Sequence, residues 1–175
     1  MNTKNNKRRQ ETVRKIESVF LDFLREQELS QIKVSDICKA AEINRGTFYA
    51  NFVDIYDLAD KLHERLKSEV NLLFEQNIGL QDMGADFLRL FRHIYENRDM
   101  YSFYFSLGYD DSEELKLYDV FLNADNIPAE HLHYHVSFFK SGFNGIVKKW
   151  LKGGCKETPE QMTDILFYEY RGRLQ

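Results

Sequence analysis

The chain has 175 residues, 43% of them hydrophobic and 30% charged, the balance of a globular protein with a sizeable core in one large or two small domains. Its apolar runs are far too short to span a bilayer, and the opening MNTKNNKRRQ has no apolar segment behind its charges, so neither a transmembrane helix nor a signal peptide is expected. The formal net charge of −4 is uneven: residues 1–53 carry 10 Lys/Arg against 7 Asp/Glu and residues 54–175 carry 14 against 21, a basic leading segment on an acidic body that suits an end meeting a polyanion.

The expected elements are helical throughout. From Arg8 to Gln27, Val13, Ile16, Phe20, Phe23 and Leu24 fall at helical spacing, with the basic KNNKRR placed before that helix. ELSQIK interrupts, and Val34, Ile37, Ala40 and Ala41 mark a short second helix. Asn44 is a suitable cap for a third, from Arg45 to Asn51, barely two turns long. A longer helix over 54–76 carries Leu58, Leu62, Leu66, Val70 and Leu73. Further helices are expected over 82–97, 99–107, 112–124, 128–151 and 159–172; the aromatic run YSFYF at 101–105 is the one stretch ambiguous between helix and strand. Pro128 suits a first helical turn, TPEQ at 158–161 reads as a capping box with Pro at the first position, and KGGC at 152–155 is a stop signal. An all-α protein without internal repeats follows.

Residues 42–52, EINRGTFYANF, do not read as an ordinary core helix. Ile43, Phe48 and Phe52 anchor a segment whose other positions carry hydrogen-bonding or small residues. Two short helices joined by a tight turn and packed under a preceding long one form a helix-turn-helix. Its second helix fits the major groove of DNA, where polar side chains meet base edges and phosphates. Arg45 can reach guanine bidentately, Gly46 lets the backbone approach, and Thr47, Tyr49 and Asn51 are candidates for phosphate or base hydrogen bonds. The basic run at the start would add salt-dependent affinity along the DNA backbone.

The stretch VSDICKAAEINRGTFYANFVDIYDL, Val34 to Leu58, resembles the DNA-binding domain of TetR-family transcriptional regulators. Ile37, Ala41, Ile43, Thr47, Phe48, Tyr49, Phe52 and Leu58 stand at the matching positions. The resemblance implies that Arg45, Gly46, Ala50 and Asn51 face the groove, that Thr47 and Tyr49 hold phosphates, and that Phe48 belongs to the core. Three positions depart from the pattern. The family's turn glycine is Glu42, which must take a left-handed conformation at a cost of about 1 kcal/mol. The usual Thr cap of the second helix is Lys33, which loses the cap and offers a phosphate contact. The lysine that opens the fourth helix is Ile55.

The resemblance implies a DNA-binding domain over 1–53 and a helical regulatory and dimerisation domain over 54–175, with the helix 54–76 connecting them. FFKSGFNGIVKKWLKGG followed by TPEQM is similar to the C-terminal segment of one subgroup of such regulators. Ser137, Ser141 and Gly145 form a small-residue stripe that permits close helix approach. Together with Trp150, Met162 and Leu166 they are the candidates for a four-helix dimer interface, with intrachain packing of the same surface as the alternative. Tyr101, Phe103, Tyr104, Phe105 and Tyr109 are candidates to line an effector pocket or simply to fill a core.

Other chemistry finds little support in the sequence. His131 and His135 are one helical turn apart with Glu130 nearby, but no third metal ligand is fixed, and no metal or other cofactor is expected. Cys38 and Cys155 lack metal-type spacing and fit a reducing cytoplasm; Cys38 is expected to be buried and Cys155, in its Gly-rich turn, exposed. No Gly-rich phosphate loop or nucleophile elbow occurs, so no enzymatic activity is expected. The leading expectation is a cytoplasmic, homodimeric regulator, more often a repressor, on a near-palindromic operator, released by a small effector. The alternative is an adaptor or co-activator that keeps the fold but acts mainly through protein contacts.

Overall fold

A computed structural model describes residues 3–75, 83–112 and 128–170 of the chain. In order these form α1 (Thr3–Leu24), a 3-10 turn (Leu29–Gln31), α2 (Val34–Ala40), α3 (Arg45–Tyr49), α4 (Ile55–Glu75), α5 (Met83–Glu96), α6 (Arg98–Ser106), α7 (Tyr109–Ser112), a second 3-10 turn (Ala129–His131), α8 (Leu132–Lys152) and α9 (Pro159–Tyr170). No strand occurs among the described residues. The ambiguous YSFYF lies in α6, while the helix expected over 112–124 falls almost wholly outside the described residues. The chain forms two compact units, residues 1–65 and 66–175, and the division falls within α4.

In the first unit α1 packs on α2 and α2 on α3. Ile16 and Phe20 of α1, Ile37 and Ala41 at α2, Phe48 and Phe52 at α3, and Leu58 and Leu62 of α4 are buried. Glu17, itself buried, accepts from Arg65 at 2.5 Å and ties α1 to α4. The basic run expected ahead of α1 is instead part of it, because α1 already begins at Thr3. That fixes Arg8 and Arg9 on a rigid element rather than on a tail.

The second unit is built on aromatic side chains. α5 packs along α9, and α6 against both α7 and α8. Phe87 meets Phe74, Phe139, Phe143 and Phe167 with centroids 5.9–6.3 Å apart, and Phe91 meets Trp150 edge-on at 5.8 Å. Such edge and offset contacts add about 0.5–1.5 kcal/mol per pair beyond area burial. Several polar groups inside are paired: Asp110 binds Lys148 at 2.6 Å, Asp86 pairs with Arg89, and His93 bridges Tyr101 (2.9 Å) and Glu69 (3.2 Å). Burial, and then the nearby Glu69 carboxylate, push the Tyr101 phenol well above its ordinary pKa.

The end of α8 corrects one expectation. Gly154 N–H donates to Leu151 O and Cys155 N–H to Trp150 O, a pattern that folds the chain back over the last turn, with Gly154 at φ 80° and Cys155 at φ 51°. Cys155 is therefore buried, at 7% exposure, rather than exposed. The TPEQ capping box forms in both directions, Thr158 N–H to Gln161 Oε1 at 2.8 Å and Gln161 N–H to Thr158 Oγ1 at 3.3 Å. Burial raises the thiol pKa of both Cys38 and Cys155, so little reactive thiolate forms at neutral pH. An aromatic disulfide reagent at pH 7.5 should label the folded protein slowly and both cysteines rapidly in denaturant; fast labelling of Cys155 in the folded chain would contradict its burial.

Candidate nucleic-acid interface

The turn between α2 and α3 is set by backbone hydrogen bonds. Glu42 N–H donates to Lys39 O and Ile43 N–H to Cys38 O, with Glu42 at φ 52°. This is a Schellman termination built on a residue other than glycine, as the missing turn glycine implies. Glu42 Oε2 also accepts from Lys15 Nζ of α1 at 3.0 Å, an exposed pair that offsets a small part of the strain.

Asn44 caps α3. Its Oδ1 accepts the backbone N–H of Thr47 at 2.8 Å and the Thr47 hydroxyl at 3.1 Å. A Cβ at position 46 would lie 3.2 Å from that oxygen, so Gly46 leaves the cap room to close. This is a second reason for glycine here, one the sequence alone did not suggest. At the other end of α3, Lys61 Nζ donates to Asn51 O at 3.0 Å and to Asp57 at 2.8 Å, and lies 5.4 Å from the Phe52 ring centroid. The hydrogen bond from Lys61, followed by that from Val53 N–H, holds the Asp57 carboxyl below its usual pKa.

The residues expected to meet DNA sort into distinct environments. Lys33, Arg45, Gly46, Tyr49 and Ala50 are exposed, whereas Thr47 and Asn51 are half-buried. Lys33 sits at the start of α2 with no side-chain cap bond. Tyr49, 56% exposed, stands edge-on to the buried Phe48 with ring centroids 5.6 Å apart. The Thr47 hydroxyl spends its single proton on Asn44; it can rotate away because the Thr47 backbone N–H still satisfies the cap. Ile55 is buried, so position 55 presents no cation. A shallow groove between α1 and α3 is lined by Arg8, Arg9 and Thr12 on one side and Asn44, Gly46, Thr47, Ala50 and Asn51 on the other. Arg8 and Arg9 belong to the basic run expected along the DNA backbone, whereas Thr12 and Lys61 were not singled out from the sequence. The Asp57–Lys61 spacing of four was the one local signal for Lys61.

The candidates in the second unit are dispersed. Tyr101, Phe103 and Tyr104 are buried and Phe105 and Tyr109 half-buried, packed among themselves and against His93. Ser137, Ser141 and Gly145 are exposed on α8. Trp150, Met162 and Leu166, expected at a dimer interface, are instead buried in the unit's own core. Trp150 lies on the inward stripe with Phe139, Phe143 and Val147, and its indole N–H donates to Glu157 O at 3.0 Å. Among the described residues no three His, Cys, Asp or Glu side chains cluster to hold a metal ion, and no helix is long and apolar enough to cross a membrane.

A helix-turn-helix at the head of an all-α chain, with a separate helical unit behind it, defines the class of helix-turn-helix transcription regulators. The family model TetR_C_8, a transcriptional regulator C-terminal region, matches residues 81–169, just over half of the chain. The chain belongs to the TetR family of transcriptional regulators. Similar solved structures include the fatty acid degradation regulator FadR from Bacillus halodurans (TM-score 0.68, 14% identity, covering 94% of this chain and 96% of that one). A TetR transcriptional regulator from Streptococcus agalactiae 2603V (0.63, 23%, 97% and 98%) and the dihydroxyacetone kinase operon activator DhaS (0.61, 20%, 90% and 93%) share the fold as well. None of the curated proteins matches the sequence significantly.

Because α3 has only five residues, its cap carries a large share of its order. Replacing Asn44 by Ala should cost about 1 kcal/mol in urea unfolding, with Asn44→Asp close to wild type. Equal stability of wild type and Asn44→Ala would show that the cap does not hold the helix.

Proposed function

We propose that the protein is a sequence-specific DNA-binding regulator that occupies a near-palindromic operator as a homodimer. The observation that carries this reading is the outward face of α3, where Arg45 and Tyr49 project from a helix pinned by buried Phe48 and Phe52. In this reading Arg45 contacts base edges, while Thr47, Tyr49 and Lys33 hold phosphates. Support for a second copy comes from α8 and α9, whose outer surfaces carry large apolar side chains: Phe138 at 60% exposure, Tyr168 at 69%, and Tyr134 and Ile165 beside them in sequence register. With the small residues Ser137, Ser141 and Gly145 on α8, that surface suits close helix packing across a two-fold axis, which two half-sites require.

Repression in the cytoplasm and release by a small effector complete the proposal. The aromatic group Tyr101, Phe103, Tyr104, Phe105 and Tyr109 is the candidate lining for such a ligand, whose differential affinity for one state of the dimer would shift the spacing of the reading heads. The adaptor or co-activator reading draws on one observation. Position 55, where the family pattern has a cation, is a buried Ile, and the neighbouring Asp54 and Asp57 accept backbone N–H bonds at the start of α4.

Substitution of Arg45 by Ala should cost about 1–3 kcal/mol on a preferred duplex and far less on random DNA, because base contacts carry the discrimination. Tyr49→Phe should weaken both by a similar factor, about 1.5–3 kcal/mol for one lost hydrogen bond to a charged group. Fluorescence anisotropy on the two duplexes measures this. Equal loss on both for Arg45→Ala would refute its assignment to base reading.

A further inference from the structure

Asn51 faces the α1–α3 groove, yet both polar atoms of its amide already have protein partners. Its Oδ1 accepts from Arg9 Nε at 2.8 Å, and its Nδ2 donates to Thr47 O at 2.9 Å. An asparagine that reads adenine uses Oδ1 to accept from the N6 amino group and Nδ2 to donate to N7. Here that oxygen is committed to a charge-assisted bond. Reading a base would require giving it up and leaving the guanidinium Nε without its partner.

The same contact gives Arg9 an order that exposed arginines usually lack. Arg9 is exposed, sits on a helix rather than a tail, and is fixed through one of its five N–H groups to a residue 42 positions away. That bond uses Nε alone, which leaves the two terminal nitrogens, with four N–H groups, as a planar fork for a ligand. That fork matches a phosphate bidentately, and holding it in advance removes part of the side-chain entropy cost of binding. Arg8 lines the same groove and adds a second cation.

We propose that Arg9 is a clamp for a DNA-backbone phosphate, and that Asn51 supports it instead of reading bases. The proposal rests on the DNA-binding reading above and replaces the sequence expectation that Asn51 itself meets DNA. Arg9 binds directly, and Asn51 is a positioning residue that acts through it.

The test is a double-mutant cycle on the full-length protein, using a duplex selected by the wild type from a randomised pool and a shuffled duplex of the same composition. Anisotropy titrations run at several salt concentrations, with circular dichroism melts confirming that the variants fold. Arg9→Ala is expected to weaken binding to both duplexes by the same factor, on the order of tenfold, and to flatten the slope of log K against log salt by about 0.9. Arg9→Lys should keep the slope and lose part of the affinity. Asn51→Ala should weaken both duplexes equally and add little in the Arg9→Ala background. The clamp is overturned if Arg9→Ala changes neither affinity nor slope, or if Asn51→Ala alters base preference while Arg9 is intact. A wild type that selects no duplex and binds none refutes the DNA-binding reading itself; a wild type that binds while Arg9→Ala stays silent refutes the clamp alone.

Discussion

Burial of Phe48 is the contact on which α3 depends. A five-residue helix has too few internal hydrogen bonds to offset its nucleation cost, so α3 exists because packing and capping impose it. Phe48 has no solvent exposure and lies 5.6 Å from the Phe52 ring, which closes the segment onto the first unit's core. The Schellman turn at Glu42 sets the direction of entry, Asn44 the first turn, and Lys61 the exit. With four restraints on so short an element, the outward side chains are held at fixed spacing, as a groove-reading element requires.

The second unit meets a different demand. Its core is aromatic and buries the carboxylates of Asp110 and Asp86, each paired with a partly exposed cation, Lys148 and Arg89. A buried carboxylate left without its cation is costly; Asp86–Arg89 is a pair within α5, while Asp110–Lys148 ties α7 to α8. The polar bridge Glu69–His93–Tyr101 does the same across α4, α5 and α6. The unit therefore combines a specified interior with large apolar side chains left on the outside of α8 and α9, the surface on which the proposed pairing rests.

Much of this was legible in the sequence, for identifiable reasons. Apolar periodicity located the helices, Asn44 and TPEQ announced their caps, and the absence of glycine at Glu42 announced a strained turn, seen at φ 52°. Contacts between distant segments were not legible. Nothing local in the sequence links Arg9 to Asn51 or Glu17 to Arg65, and a basic run at a chain start looks alike whether it is tail or helix. Composition could not say which side of α8 and α9 faces inward, so Trp150, Met162 and Leu166 read as an interface until packing placed them inside. Cys155 read as exposed because its neighbours are glycines, but the backbone pattern they permit folds it in.

The central claim is that α3 reads DNA in pairs. The most direct measurement is the sequence preference itself: duplexes recovered by the purified protein from a randomised pool, together with the stoichiometry on the winning sequence. Enrichment of an inverted repeat whose half-sites lie about one helical turn apart, bound by two protomers, is the predicted result. A pool that stays random through successive rounds, or a single unpaired site bound by one protomer, would contradict it.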